Sequence, residues 1–157
     1  MKIRYAKPED CQLIWEWAND SNTRAVSFSS EPIPWESHVK WFSEKMRDSN
    51  CMFFIALDAN DFPIGQIRYE VDGTEATVSV ALAPSQRGKG YGTQIIQMAS
   101  KKVFDCISIG IIHAYIKPDN TTSIRAFAKA GFSMGSIIEI HGNPAFDFIL
   151  HRSGGTP

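Results

Sequence analysis

The sequence predicts an α/β domain of the α+β kind, with six strand segments and four helices, on three observations. Apolar residues alternate strictly through EATVSVALA, where Ala76, Val78, Val80 and Leu82 share one face, as a half-buried strand requires. Two further β-like runs precede it, separated by the turn-rich DAND and the hairpin signal DG, which makes an antiparallel meander. Helical spacing brackets that meander on both sides, so sheet and helices belong to one unit.

In chain order, Pro8 followed by Glu9 and Asp10 suits the first turn of a helix, where acids oppose the positive end of the dipole. Leu13, Ile14 and Trp17 give that helix its apolar stripe, and it is expected to stop near Asn19 and Asp20. SNTRAVSFSSEPIPW has little periodicity and two prolines, so it reads as a loop with at most a short turn of helix. A second helix starts after Pro34, with Val39, Phe42 and Met46 expected on its inner face and His38 and Trp41 beside them. CMFFIALD, IGQIRYEV and EATVSVALA are the meander strands. After the glycine-rich SQRGKGYG comes a helix with Ile95, Ile96, Ala99 and Val103 at helical spacing, then the strand IIHAYI. NTTSIRAFAKAGF is a helix with Asn120 as N-cap and Gly131 beyond its end, and GSIIEI and AFDFILH close the domain as strands. A single domain over residues 1–152 with a tail at 153–157 is the expected organisation.

Composition sets the outer bounds. The 157 residues are 43% hydrophobic and 21% charged with a formal charge of -1, so no overall field recruits nucleic acid or a membrane surface. Cys11, Cys51 and Cys106 are odd in number and lack a CxxC, which suggests neither a disulfide framework nor a zinc site, and no metal is expected. The charged start MKIRYAKPED lacks the apolar core of a signal peptide, and no apolar run reaches the roughly 18 residues of a membrane span. A cytoplasmic setting is the expectation, as monomer or homodimer.

SQRGKGYG, residues 85–92, places three glycines at alternate positions between a strand and a helix. Glycine lets backbone approach a ligand closely and adopts positive φ, so successive N–H groups converge on an anion at the positive end of the helix. Arg87 and Lys89 are placed to add charge there. The loop lacks the GxxxxGK-Ser/Thr pattern of a nucleotide triphosphate site, and its GxGxG spacing after an antiparallel meander does not suit a GxGxxG dinucleotide fingerprint.

Gln86-Arg87-Gly88-Lys89-Gly90-Tyr91-Gly92 resembles the Q/R-x-x-G-x-G/A acetyl-coenzyme A loop of the GNAT N-acetyltransferase superfamily. Asn120, Ser123 and Ala130-Gly131-Phe132 resemble that family's second cofactor element, and the order of elements agrees from about Lys2 to Leu150. The resemblance implies a central, mostly antiparallel, twisted mixed sheet of six to seven strands flanked by about four helices. It implies that acetyl and pantetheine groups pair with backbone at Val80, Ala81 and Leu82, where β strands splay. It implies that amides of Arg87, Gly88, Lys89, Gly90, Tyr91, Gly92 and Thr93 cradle the pyrophosphate beside Gln86, and that Asn120, Ser123 and Phe127 border the cofactor. His38-Val39-Lys40-Trp41-Phe42 and GQIRYE are similar to acetyltransferases of nucleotide-linked aminosugars of the pseudaminic acid pathway type, which acetylate the 4-amino group of a UDP-sugar.

Acetyl transfer to an amine needs a neutral amine, a stabilised oxyanion and a protonated leaving thiolate. Phe127 stands where many family members carry the proton-donating Tyr, so Tyr115 and Ser123 are the candidate acids. Thr77 stands where the family often has Glu, which leaves Glu70, Glu75, His113 and His38, or a water chain, as candidates for the base. His113 and Tyr115 share strand parity and therefore a face. Acceptor recognition is expected from Arg24 and Arg68 as contacts to phosphate or carboxylate, from Phe28, Trp35, Trp41 and Tyr69 as stacking surfaces, and from His38. The leading expectation is an acetyl-CoA-dependent N-acetyltransferase with a small-molecule amine acceptor. Protein N-terminal or polyamine acetylation, and a catalytically silent acyl-CoA-binding module, are the alternatives.

Overall fold

The computed structural model describes residues 1–153, so the expected tail from 154 onward lies outside the described residues. Its strands are β1 (Lys2–Tyr5), β2 (Cys51–Leu57), β3 (Pro63–Asp72), β4 (Glu75–Leu82), β5 (Ile111–Ile116), β6 (Ser133–Ile140) and β7 (Asn143–His151). Its helices are α1 (Cys11–Ala18), α2 (Ser21–Val26), α3 (Trp35–Arg47), α4 (Tyr91–Cys106) and α5 (Thr121–Lys129). The strands form one sheet in the order β1-β2-β3-β4-β5-β7-β6. Every pairing is antiparallel except β4 with β5, which is parallel.

The seventh strand is β1, a stretch to which the sequence pattern assigned no element. Four residues alternating between charged and apolar types are too short to carry a period, and pairing with Phe54–Leu57 defines the strand instead. The first helix begins with one tight turn at Pro8–Asp10. Asp10 closes that turn by accepting from the Lys7 amide at 2.7 Å while pairing with Arg4. The expected loop after Asp20 holds a real helix, α2, because the Asp20 carboxylate accepts from the Thr23 amide at 3.2 Å and caps it.

Each face of the sheet has its own core. On one face α4 lays Ile95, Ile96, Ala99 and Val103 on Phe54, Ile67, Tyr69, Ala76 and Val78. Full burial of each isoleucine or valine among them stabilises by about 1.5–3 kcal/mol. On the other face Ile14 and Trp17 of α1 and Phe42 of α3 pack on Phe53, Ile55 and Leu57. The inner face of α3 differs from the expected one: His38 and Phe42 point inward, and Val39 is 40% exposed. Residues 38 and 42 lie four apart and share the buried stripe, which turns Val39 sideways.

Candidate active site

β4 and β5 pair only at Glu75–Ile111, Ala76–Ile112 and Thr77–His113. Beyond Thr77 the two strands part, and β5 pairs along its whole length with β7 on its other side. The edge of β4 from Val78 to Leu82 that faces β5 therefore has no strand partner, and its amides and carbonyls need one from elsewhere. Two clefts meet at this gap. The larger, about 570 Å³, opens on the side of α1, α2 and α3, and the smaller, about 510 Å³, runs along α4 and α5. Both are walled by Val80, Ala81, Asn120, Ser123 and Phe127, so they join through the splay.

The glycine loop stands at the mouth of the smaller cleft, lined also by Leu82, Arg87, Gly92 and Ile96. Gly88 and Gly90 sit at φ 77° and 81°, the left-handed region that disfavours other residues. A methyl group built on either would meet nothing within 4 Å, so the loop encloses open space. Gly90 is the N-cap of α4 and offers no capping side chain, which leaves the first amides of this 16-residue helix for an external acceptor. A strip of free backbone on β4 leading to a ring of N–H groups suits an extended arm ending in a pyrophosphate, as coenzyme A has.

Arg87 departs from expectation. Its guanidinium bonds Asp20 at 2.9 Å and Thr23 Oγ1 at 2.9 Å, tying the loop to α2 instead of adding charge to the anion site. Lys89 is exposed and reaches Gln86 Oε1 at 3.4 Å. Asn120 caps α5 by accepting from the Ser123 amide at 3.2 Å, which sets both residues at the junction of the clefts. Phe127 is buried edge-to-face against Phe132 at 5.0 Å and brings no hydroxyl to the site.

Among the catalytic candidates, Tyr115 lines the larger cleft just past the point where β4 and β5 diverge. Burial raises its pKa, the Asp147 charge adds to that, and Thr77 opposes it, so the phenol keeps its proton at neutral pH. His113 stacks on Tyr115 at 5.7 Å with 18° between the rings. It is not the free base considered from sequence: Nδ1 lies 2.8 Å from the buried Asp147 carboxylate and Nε2 bonds Glu75. Carboxylates accept, so a clamp of two of them favours the doubly protonated ring, the imidazolium. Burial opposes that charge, but Asp147 and Glu75 together raise the His113 pKa above its ordinary value. Glu75, half-exposed at the start of β4, is committed to the same clamp.

Glu70 is also removed from the candidate bases. It pairs with Lys45 and with Arg68 at 3.5 Å and lines neither cleft. Burial alone would raise its pKa, and the two cations reverse this and lower it. His38 lines the larger cleft and is 2% exposed. Its Nε2–H donates to the Cys11 carbonyl at 2.8 Å. Burial depresses its pKa, which the Cys11 carbonyl only partly offsets, so the ring is neutral and its lone pair sits on Nδ1.

The acceptor-side candidates divide. Phe28, Trp41 and Arg68 line the larger cleft, and the Arg68 guanidinium lies 4.9 Å from the Trp41 ring centre while reaching Ser79 Oγ at 3.3 Å. Arg24 is a brace for the loop: it bonds the carbonyls of Ala18 at 2.7 Å and Ser29 at 2.8 Å, and it is not free to take a phosphate. Tyr69 faces the opposite side of the sheet, fully buried, with its hydroxyl 2.8 Å from Ser100 Oγ. Burial drives its pKa far up, and it has no part in the acceptor wall. Gln66, Ser79 and Lys117 line the cleft and were not singled out from sequence. Strand parity with Arg68 would have found Gln66, and the β3–β4 register of Arg68 with Ser79 the other strand residue.

The comparisons with known proteins agree with this geometry. The family model described as an acetyltransferase (GNAT) domain matches residues 1–133. The L-2,4-diaminobutyric acid acetyltransferase of Nocardia farcinica is 34% identical over 148 residues, 92% of this chain and 70% of that protein. The acetyltransferase PseH of Campylobacter jejuni is 21% identical over 126 residues, 80% of this chain and 78% of that one. In structure, the spermidine N-acetyltransferase of Vibrio cholerae in complex with CoA and spermine superposes with a TM-score of 0.86 at 19% identity, over 97% of this chain and 95% of that one. With that family match over most of its length and a sheet splayed beside a glycine-rich helix start, the chain belongs to the GNAT family of acetyl-CoA-dependent N-acetyltransferases.

Proposed function

We propose that the protein transfers acetyl from acetyl-CoA to a primary amine of a small molecule by direct attack on the thioester, and that the acceptor amine is the 4-amino group of a UDP-linked aminodeoxysugar. The observation that carries the general reading is the pair of clefts meeting at the free edge of β4, one suited to the donor and one open to an acceptor. When bound, acetyl-CoA supplies the activated acetyl group. Backbone at Val80, Ala81 and Leu82 orients it, and the amides of residues 87–93 hold its phosphates. Tyr115 keeps a proton to give at the leaving-group side, and Ser123 lies at the same junction as the second hydroxyl. His38 presents a neutral imidazole to the acceptor and is the candidate to take a proton from the amine.

The sugar reading is supported by the aromatic walls Phe28 and Trp41 beside Arg68, a combination that suits a flat base or sugar face with an anion. A short amino-acid acceptor is the second reading. It is favoured because Arg24 is held by the carbonyls of Ala18 and Ser29 and Arg68 is shared with Glu70, leaving Lys117 as the least committed cation of the cleft, enough for one carboxylate. A polyamine is disfavoured because no Asp or Glu lines the larger cleft among the described residues. Thiol release from acetyl-CoA against UDP-4-aminosugars, short diamino acids, polyamines and peptides decides. Turnover with the sugars is expected; turnover with diamino acids alone selects the second reading, and turnover only with peptides or polyamines overturns both.

A further inference from the structure

Gln66 is the side chain that nothing in the fold accounts for. It is 7% exposed, it lines the larger cleft, and its Oε1 is buried with no hydrogen-bond partner. Leaving a buried carbonyl oxygen unpaired forfeits its hydration with nothing in return, so such a group needs a partner that the protein alone does not supply. Its position is specific. On β3 it is registered directly against Ala81 of β4 and Ile55 of β2. Cross-strand partners share a face, so its side chain stands beside that of Ala81, about 4.8 Å away across one strand spacing. Ala81 lies in the middle of the unpaired β4 edge.

Building on the acetyltransferase reading above, we infer that Gln66 Oε1 accepts an N–H from the attacking amine of the acceptor and so aims the nitrogen lone pair at the donor held along Ala81. An amine offers two hydrogens and one lone pair, and fixing one hydrogen restricts where the lone pair points. As the nitrogen gains positive charge during attack, the N–H becomes a better donor and this bond strengthens. The residue therefore acts on the reaction itself and not only on binding. It also gives the cleft a preference for a donor at that spot. An acceptor presenting an ether or carbonyl oxygen there, or a tertiary amine, has no hydrogen to give and leaves the Gln66 oxygen unpaired again.

The test is Gln66→Met, which keeps length and removes both polar atoms, beside Gln66→Glu, which keeps an acceptor oxygen. For the methionine variant, kcat/KM for the amine is expected to fall at least tenfold with the Kd for acetyl-CoA unchanged, and the thermal midpoint to rise because the orphaned oxygen is gone. For the glutamate variant, activity returns with its pH profile moved upward, since a carboxylate holds the amine as ammonium until higher pH. Wild-type protein inert toward every amine overturns the acetyltransferase reading and this role with it. Active wild type with an unaffected methionine variant, or a methionine variant that melts lower and loses acetyl-CoA affinity as well, overturns the role of Gln66 alone.

Discussion

Replacing His113 with Gln tests how the root of the splay is held. The ring on β5 bonds Asp147 on β7 at 2.8 Å and Glu75 on β4, so it ties three strands at the last rung before β4 and β5 part. Side-chain exposures of 15% for His113 and 11% for Asp147 place this pair where water screens it little. Removing one partner of such a pair costs about 3–5 kcal/mol. The Gln amide still donates one hydrogen bond, worth about 1 kcal/mol, so the expected loss is about 2–4 kcal/mol. Glu75, with its side chain 51% exposed, adds little to that figure.

The pH dependence gives a second readout. A His113 pKa raised in the folded chain means that the native state binds the proton more tightly than the unfolded one. The contribution is then fully present below the ordinary value of 6.5 and is lost as pH rises through the folded value. Urea unfolding of wild type and H113Q at several pH values is the assay. The stability gap should be widest in mild acid and narrow toward alkaline pH. A gap below about 1 kcal/mol, the size of an exposed pair, or one that does not change with pH, would refute the clamp.

Three further outcomes follow from the site. Gly90→Ala places a side chain at φ 81° and fills the space at the start of α4; stability should fall by about 1 kcal/mol, while calorimetric affinity for CoA falls at least about tenfold. Tyr115→Phe removes the hydroxyl at the cleft and should lower kcat by about 10²–10⁴-fold with unchanged acetyl-CoA binding, measured by thiol release and titration. Tyr69→Phe strands Ser100 in the core and should lower stability by about 1–2 kcal/mol without altering turnover, the opposite of what an acceptor-wall residue would do.

The parts of the site legible in the sequence are those whose chemistry demands a residue type at a fixed spacing. Gly88 and Gly90 need positive φ, and Asn120 needs an oxygen three residues before the Ser123 amide, so both elements show themselves locally. Parity on β3 separates Arg68 from Tyr69, but which face meets the acceptor depends on α4 covering the other, a fact of tertiary packing. The same holds for charge. His113 reads as a candidate base until Asp147, 34 residues later, arrives on the neighbouring strand and favours its cationic form. Arg24 and Arg87 look like free cations in the chain, yet their partners are the carbonyls of Ala18 and Ser29 and an aspartate brought near only by the fold of α2. β1 was hidden for a simpler reason: four residues hold no period.

Amide hydrogen exchange with and without coenzyme A tests the donor site most directly. Protection is expected at Val80 and Leu82, whose amides turn to the open edge of β4 while Ala81 bonds β3, and at 87–93 around the start of α4, with a weaker effect at Asn120 and Ser123. Saturating coenzyme A that leaves these amides exchanging as before, or that protects a different surface, would contradict the placement of the donor in the splay.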